Sequence, residues 1–339
     1  MRKFNLKGKV VQKMMGMDDT SVSGKTKKQT KAPAQEPDRI QDTNRSGEDT
    51  KPIAPEGLVL AWRTDVGRMR KNNQDAVILG YGLIGVADGM GGHNGGEIAS
   101  AGLRDGLLRE LKDQKPDSEQ LKTAVQKINL ELWEQQEKDA SLTGMGTTLT
   151  ILWAGDSEMI IAQVGDSRAY LLRNGEMKQI TNDHSMVADM VRKGVLTEEQ
   201  AACHPMRNYI TRAVGTEDTI EVDIQTIPRM KGDRWLVCSD GLYGQIGKKE
   251  LELLMAGDPE KAADKLLQEA LENGGRDNIS FVLIQDDREQ EKKEEREDQS
   301  TCKSEETEKC RNEEDNDTGE RGMEENGLKT HTSEEEAVQ

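Results

Sequence analysis

Aromatic residues are scarce: two Phe, four Tyr and four Trp in 339 residues. Nine of the ten lie between Trp62 and Phe281, so a packed core is expected only there. Long apolar runs are missing as well. No stretch of about 18 apolar residues exists, which excludes a spanning helix. The start, MRKFNLKGKVVQKMMGM, has no apolar stretch of the secretory kind. Cysteine is limited to Cys203, Cys238, Cys302 and Cys310, with no close pair of the zinc-ribbon kind. Reduced thiols in a cytoplasmic protein are therefore expected, not a disulfide framework.

What the chain has in excess is acid, with a formal net charge of −17. The charge is uneven. Residues 1–57 carry 12 basic and 8 acidic side chains, residues 58–285 carry 26 and 35, and residues 286–339 carry 9 and 21. The last segment has no aromatic residue and few aliphatic ones, too little to offset its ordering entropy. We expect a disordered basic arm over 1–57, one folded domain over 58–285 and a disordered acidic tail over 286–339. Val10, Val11, Met14, Met15 and Met17 leave open a short amphipathic helix within the arm. The acidic balance argues against non-specific nucleic-acid binding.

Within 58–285, short apolar runs bounded by turn residues predict strands at 58–63, 76–79, 83–87, 147–153, 159–164, 169–173, 179–181, 221–227, 234–239 and 279–285. Asn174-Gly175 is a hairpin signal. Helical periodicity covers 97–111, 119–137, 186–202 and 259–271, with Thr197 a possible cap for a second short helix within the third. Hairpin signals outnumber strict strand–helix alternation. The expected class is α+β, with antiparallel sheets and helices packed outside.

Apolar strands repeatedly run into Asp followed by a small residue: Asp88-Gly89, Asp166-Ser167 and Asp240-Gly241. Asp277 stands just before another strand. Taken singly, each pair is an ordinary turn signal. Taken together, strand-end carboxylates can converge at one rim of a sheet, where they repel unless a cation offsets them. Oxygen-only ligands suit Mg²⁺ or Mn²⁺, and two such ions can activate water for displacement at phosphorus. Glycines after Asp88 let the backbone approach closely and offer the Gly89 carbonyl. A nucleotide-cradling loop is the weaker alternative, since no Gly-Lys-Ser/Thr follows and the strand ends in an acid. Arg70, in the run TDVGRMRKNNQD, suits two phosphate oxygens, although alone it also reads as part of a solvated basic loop.

The runs TDVGRMRKNNQD, VADGMGGHNGGEIAS, GMGTTLT, VGDSRAYLLR, ITNDHS, ITRAVG, LVCSDGLYG and GGRDNISFVLI follow one another between 64 and 284. In this order the chain resembles the metal-dependent serine/threonine protein phosphatases, the PPM or type 2C class, in their bacterial form. The resemblance implies two stacked antiparallel β-sheets forming a β-sandwich, flanked by α-helices on both faces in a four-layer α-β-β-α arrangement. It also implies two Mn²⁺ or Mg²⁺ ions, with a third bound more weakly. Asp88 resembles the bridging ligand, with the Gly89 carbonyl beside it. Asp240 and Asp277 resemble the remaining ligands of the first ion. Asp166 resembles a ligand of the third, shared with Asp240. Asp75 resembles the acid that orients water, Gln74 stands where relatives have Glu or Gln, and Arg70 resembles the phosphate binder. Asn278 resembles a residue that holds Asp277 in place. His93 is the candidate general acid, with loop anchoring as the alternative; His184 reads as structural. Residues 183–208 match a flap over the site. The implied reaction is direct attack on phosphoserine or phosphothreonine by a hydroxide bridging the metals, without a phosphoenzyme. The implied partners are phosphorylated Ser/Thr proteins and an opposing Ser/Thr kinase, and a monomer is expected. Two other readings stay open: a non-catalytic partner-binding module of this fold, and a metal-dependent hydrolase of another phosphoester.

Overall fold

The computed structural model describes residues 11–12, 56–91 and 95–288. Its strands are β1 (Val11–Gln12), β2 (Leu58–Asp65), β3 (Asp75–Gly80), β4 (Leu83–Met90), β5 (Gly146–Thr147), β6 (Leu149–Ala154), β7 (Glu158–Val164), β8 (Arg168–Arg173), β9 (Glu176–Gln179), β10 (Tyr209–Ile210), β11 (Asp223–Pro228), β12 (Arg234–Cys238) and β13 (Ile279–Asp286). The α-helices are α1 (Gly95–Glu110), α2 (Ser118–Lys138), α3 (Met186–Arg192), α4 (Glu198–Ala202), α5 (Asp240–Tyr243), α6 (Lys248–Leu254) and α7 (Pro259–Glu272).

Every strand pairing is antiparallel. One sheet has the order β11-β7-β6-β4-β3, with β5 paired to β4; the other has the order β2-β13-β12-β8-β9. Their inner faces meet through Val86, Leu152, Ile161, Trp235, Val282 and Ile284. The first sheet's outer face packs on α1 and α2 through Ile78, Leu103, Leu107, Val125, Ile128 and Ile151. The second packs on α5, α6 and α7 through Leu236, Phe281, Leu242, Leu251, Ala263 and Leu266. The order is helix, sheet, sheet, helix, as the resemblance implies. The interior strand β4 is buried along its whole length, in keeping with its apolar run from Leu83 to Ala87.

Local signals explain most boundaries. Asp117 caps α2 by accepting from Gln120 N at 2.8 Å. Asp258 caps α7, and Pro259 fills its first position. The segment 186–202 is two helices, broken at Gly194 (φ +70°), with Thr197 and Gln200 forming a capping box for the second.

Several expectations need correction. The strand expected at 179–181 lies at Glu176–Gln179, because Asn174 (φ 55°) and Gly175 (φ 78°) close a two-residue turn that pairs Arg173 with Glu176. Val11–Gln12 forms a strand paired with Tyr209–Ile210, neither helix nor free arm. The folded region also passes residue 285: Asp286 is buried in β13, and Asp287 N donates to Gly57 O at 2.8 Å. The rest of the expected arm and tail lies outside the described residues.

Candidate metal centre

Asp75 opens β3 and Asp88 lies near the end of β4, and the register places them directly opposite each other. In the second sheet β12 and β13 are paired. Asp240 follows β12 at the start of α5, and Asp277 precedes β13. Asp166 occupies the turn where the chain passes from β7 in one sheet to β8 in the other. Both sheets thus deliver acids to one end of the sandwich.

Side chains tie the two sheets together at this end. Ser239 Oγ donates to Asp75 Oδ2 at 2.8 Å. Arg70 Nη2 donates to Asp277 Oδ2 at 2.8 Å, with both side chains largely shielded. Asn278 does more than hold its neighbour. Its Nδ2 donates to Val66 O (3.0 Å) and Asn72 O (2.9 Å), and its Oδ1 accepts from Gln74 N (2.9 Å). Asp88 N donates to Thr148 Oγ1 at 2.9 Å, which fixes the buried end of β4.

The backbone is packed as tightly as the glycines predicted. A Cβ on Gly89 would lie 2.1 Å from Gly96 O and 2.4 Å from Gln74 O. A Cβ on Gly241 would lie 1.9 Å from Asn278 O. Only glycine fits at either position. The donor set is carboxylates together with the Gly89 carbonyl, hard oxygen ligands of the type Mg²⁺ and Mn²⁺ take. Asp88 and Asp166 are buried carboxylates, and Asp75, Asp240 and Asp277 are partly so. Gathering like charge at one rim favours a bound cation. The chemistry of these residues suits a divalent cation.

Two supporting residues were missed in the sequence. Tyr243 OH donates to Asp166 O at 2.9 Å, and its ring lies 3.8 Å from the Arg168 guanidinium. Arg168 pairs with Asp183, the first residue of the expected flap, at 2.7 Å. Burial pushes the Tyr243 phenol well above its ordinary value, with the Asp166 charge adding to it, so the hydroxyl keeps its proton as a donor. Tyr243 lies one helical turn after Asp240, which is the signal that could have found it; nothing local marks Ser239 as the partner of Asp75.

His184 has the structural role expected. Its Nδ1 accepts from Gly165 N at 3.0 Å, and its Nε2 lies 3.1 Å from Asp223 Oδ2. Burial holds its imidazole below the ordinary value, against the pull of Asp223. Cys238 is sealed in the core, and burial pushes its thiol far above the ordinary range, so it is no nucleophile. Cys203 is exposed and free. His93 lies outside the described residues. The flap expected at 183–208 contains α3 and α4 and is followed at once by β10. Among the described residues, no helix is long and apolar enough to cross a membrane.

Residues 68–302 match the family model described as Protein phosphatase 2C. A serine/threonine phosphatase stp of Listeria monocytogenes is 36% identical over 243 residues, which cover 67% of this chain and 95% of the relative. The crystal structure of the serine/threonine phosphatase PstP/Ppp of Mycobacterium tuberculosis superposes with a TM-score of 0.65 at 36% identity, covering 68% of this chain and 99% of that one. A structure of the PstP catalytic domain in complex with two manganese ions matches with a TM-score of 0.63 at 35% identity, covering 67% and 97%.

Proposed function

We propose, from the premise that the chain belongs to the protein phosphatase 2C family, that its acid-lined rim is the active centre of a serine/threonine protein phosphatase. The enzyme is a metal-dependent phosphoric monoester hydrolase whose cofactor is Mn²⁺ or Mg²⁺ and whose substrates are phosphoproteins. The observation that carries the site assignment is the convergence of Asp75 and Asp88 from one sheet with Asp240 and Asp277 from the other.

Asp88, the Gly89 carbonyl, Asp240 and Asp277 would hold the principal ions, with Asp166 and Asp240 serving a third. When bound, these ions supply Lewis acidity, acidifying water and drawing charge off the phosphoryl oxygens. The remaining chemistry belongs to the chain. Arg70 presents a planar fork to two phosphate oxygens and fixes the phosphorus for in-line attack. Asp75, oriented by Ser239, takes the proton of the attacking water. The serine or threonine oxygen leaves with a proton, and His93 is its proposed donor. Phosphorus–oxygen cleavage is then a single displacement, with no covalent enzyme intermediate.

The proposal extends to a cytoplasmic monomer opposing a Ser/Thr kinase. The free thiols of Cys203 and Cys238 agree with a reducing compartment. The test is release of phosphate from a phosphothreonine peptide with Mn²⁺ and with EDTA. Hydrolysis is expected only with the metal. Asp240→Asn should lower kcat at least 100-fold, on the order expected for a lost ligand, without unfolding the protein. Wild-type rates in that variant would refute the metal assignment.

A further inference from the structure

The loop at 66–74 and the loop at 273–278 form one continuous surface beside Arg70. Arg68 N donates to Gly275 O at 2.7 Å, and Arg68 Nε donates to Leu271 O at 2.8 Å. Asn278 binds the backbone at Val66, Asn72 and Gln74. A Cβ on Gly67 (φ +75°) would fall 2.2 Å from Asp277 O, so the two backbones touch. The positions on this surface are therefore fixed by the same bonds that hold the metal centre.

Its side chains reverse the local charge. Residues 58–285 carry 26 basic and 35 acidic side chains, yet this rim presents Arg68, Lys71 and Arg276, all exposed. Arg70 is paired with Asp277, but the other three form no ion pair with an acid among the described residues. The acids at the end of α7 form no ion pair with these cations: Glu272 Oε1 accepts from Gln268 Nε2 at 2.7 Å, and Glu269 Oε1 accepts from Asn273 Nδ2 at 3.1 Å. Met69, 72% exposed, adds an apolar contact between the cations.

Exposed cations on a rigid surface, unpaired and of opposite sign to their domain, attract and orient an anionic partner. Arg70 takes the scissile phosphate in the reading above. Arg68 and Lys71 lie within two residues of Arg70, and Arg276 adjoins Asp277, the partner of Arg70, so an extended peptide at about 3.3–3.6 Å per residue can bring flanking side chains to them. We propose that Arg68, Lys71 and Arg276 form a substrate subsite for acidic side chains flanking the phosphoserine or phosphothreonine. The inference rests on the phosphatase reading and narrows its substrate class. Arg68 and Arg276 present forks suited to carboxylates, and Lys71 adds a point charge.

The test uses the full chain with Mn²⁺ and two phosphothreonine peptides that differ only in Glu or Lys at the two positions on each side. Turnover of p-nitrophenyl phosphate, which has no flanks, is the reference. Wild type is expected to favour the acidic peptide by about tenfold in kcat/KM, mostly through KM, and less at 0.5 M NaCl. The triple variant Arg68→Glu, Lys71→Glu, Arg276→Glu should lose or invert that preference. Fluorescence anisotropy of the same labelled peptides reads binding separately. Should no phosphate be released while the acidic peptide still binds through the rim, the hydrolytic reading fails and the subsite stands. Equal kcat/KM and equal binding for the two peptides in wild type would overturn the subsite, as would a triple variant that changes both in equal proportion. The wild-type comparison and its salt dependence decide the matter even if the triple variant folds poorly.

Discussion

One methyl group at Gly241 tests whether the two ligand-bearing loops must touch. Gly241 is the second residue of α5, directly after Asp240, and lies against the chain that leads from Asp277 into β13. An added Cβ would be 1.9 Å from Asn278 O and 2.9 Å from Asn278 C. Ordinary contact begins near 3.4 Å, so that carbonyl must retreat by about 1.5 Å. Asn278 cannot retreat alone, because its side chain holds Val66, Asn72 and Gln74 and its own N–H donates to Asp277 Oδ1 at 2.8 Å. The shift therefore moves Asp277 away from Asp240. Alanine is the better helix former by about 0.5–1 kcal/mol, which works against the loss. Overpacking of this kind costs about 1–3 kcal/mol, and a domain of this size loses about 2–4 °C per kcal/mol.

For Gly241→Ala the net cost is about 0–2.5 kcal/mol, an expected fall in Tm of at most about 10 °C. Activity should suffer far more, since a misplacement of about 1 Å costs on the order of 100-fold in rate. The assays are thermal melting and phosphate release from a phosphothreonine peptide with saturating Mn²⁺. Gly247→Ser is the control. Gly247 is the N-cap of α6 at φ −68°, with nothing within 4 Å of its added Cβ, so serine there should match or slightly exceed wild-type stability at wild-type rates. A Gly241→Ala enzyme within about threefold of wild type would refute the reasoning, because the close approach of the loops would then be dispensable.

Two further outcomes follow from contacts around the site and at the far end of the sandwich. Tyr243→Phe removes the hydroxyl that holds Asp166 O, and should weaken the least tightly bound Mn²⁺ by about 10-fold in calorimetric titration while the tighter ions bind as before; an unchanged titration would remove Tyr243 from the centre. Asp286→Asn leaves the Arg229 guanidinium, 1% exposed, without its carboxylate, and should cost about 3–5 kcal/mol in a denaturant melt at pH 7. Burial pushes the Asp286 carboxyl up, but Arg229 and Arg288 outweigh it and hold it below the usual range. A lowered carboxyl pKa stabilises the fold above its unfolded value and loses that contribution as pH falls through the folded one. The gap between wild type and Asp286→Asn should therefore narrow below about pH 4, and a gap independent of pH would contradict the ion-pair account.

How much of this was legible in the sequence depended on whether the cause was local. Asp88-Gly89 and Asp240-Gly241 announce themselves because a strand-end acid and a close backbone approach both leave local residue signatures. Asn174-Gly175 predicted its hairpin but the following strand was placed too late, because the turn is so tight that pairing resumes at Glu176. The short helices α5 and α6 were missed, since four and seven residues carry too little periodicity to register. Ser239 and Asp75 are 164 positions apart, and Tyr243 and Asp166 are 77 apart, so only the closed sandwich brings them together. That separation has a consequence for how the site forms. Asp75 and Asp88 belong to one sheet, Asp240 and Asp277 flank strands of the other, and the Ser239–Asp75 bond links the two sides. If the proposed ligands are right, neither sheet alone brings all of them together, so the centre would form only as the sheets dock. The apolar inner faces supply the drive, while Ser239 and Asn278 set the alignment at the acid-bearing end.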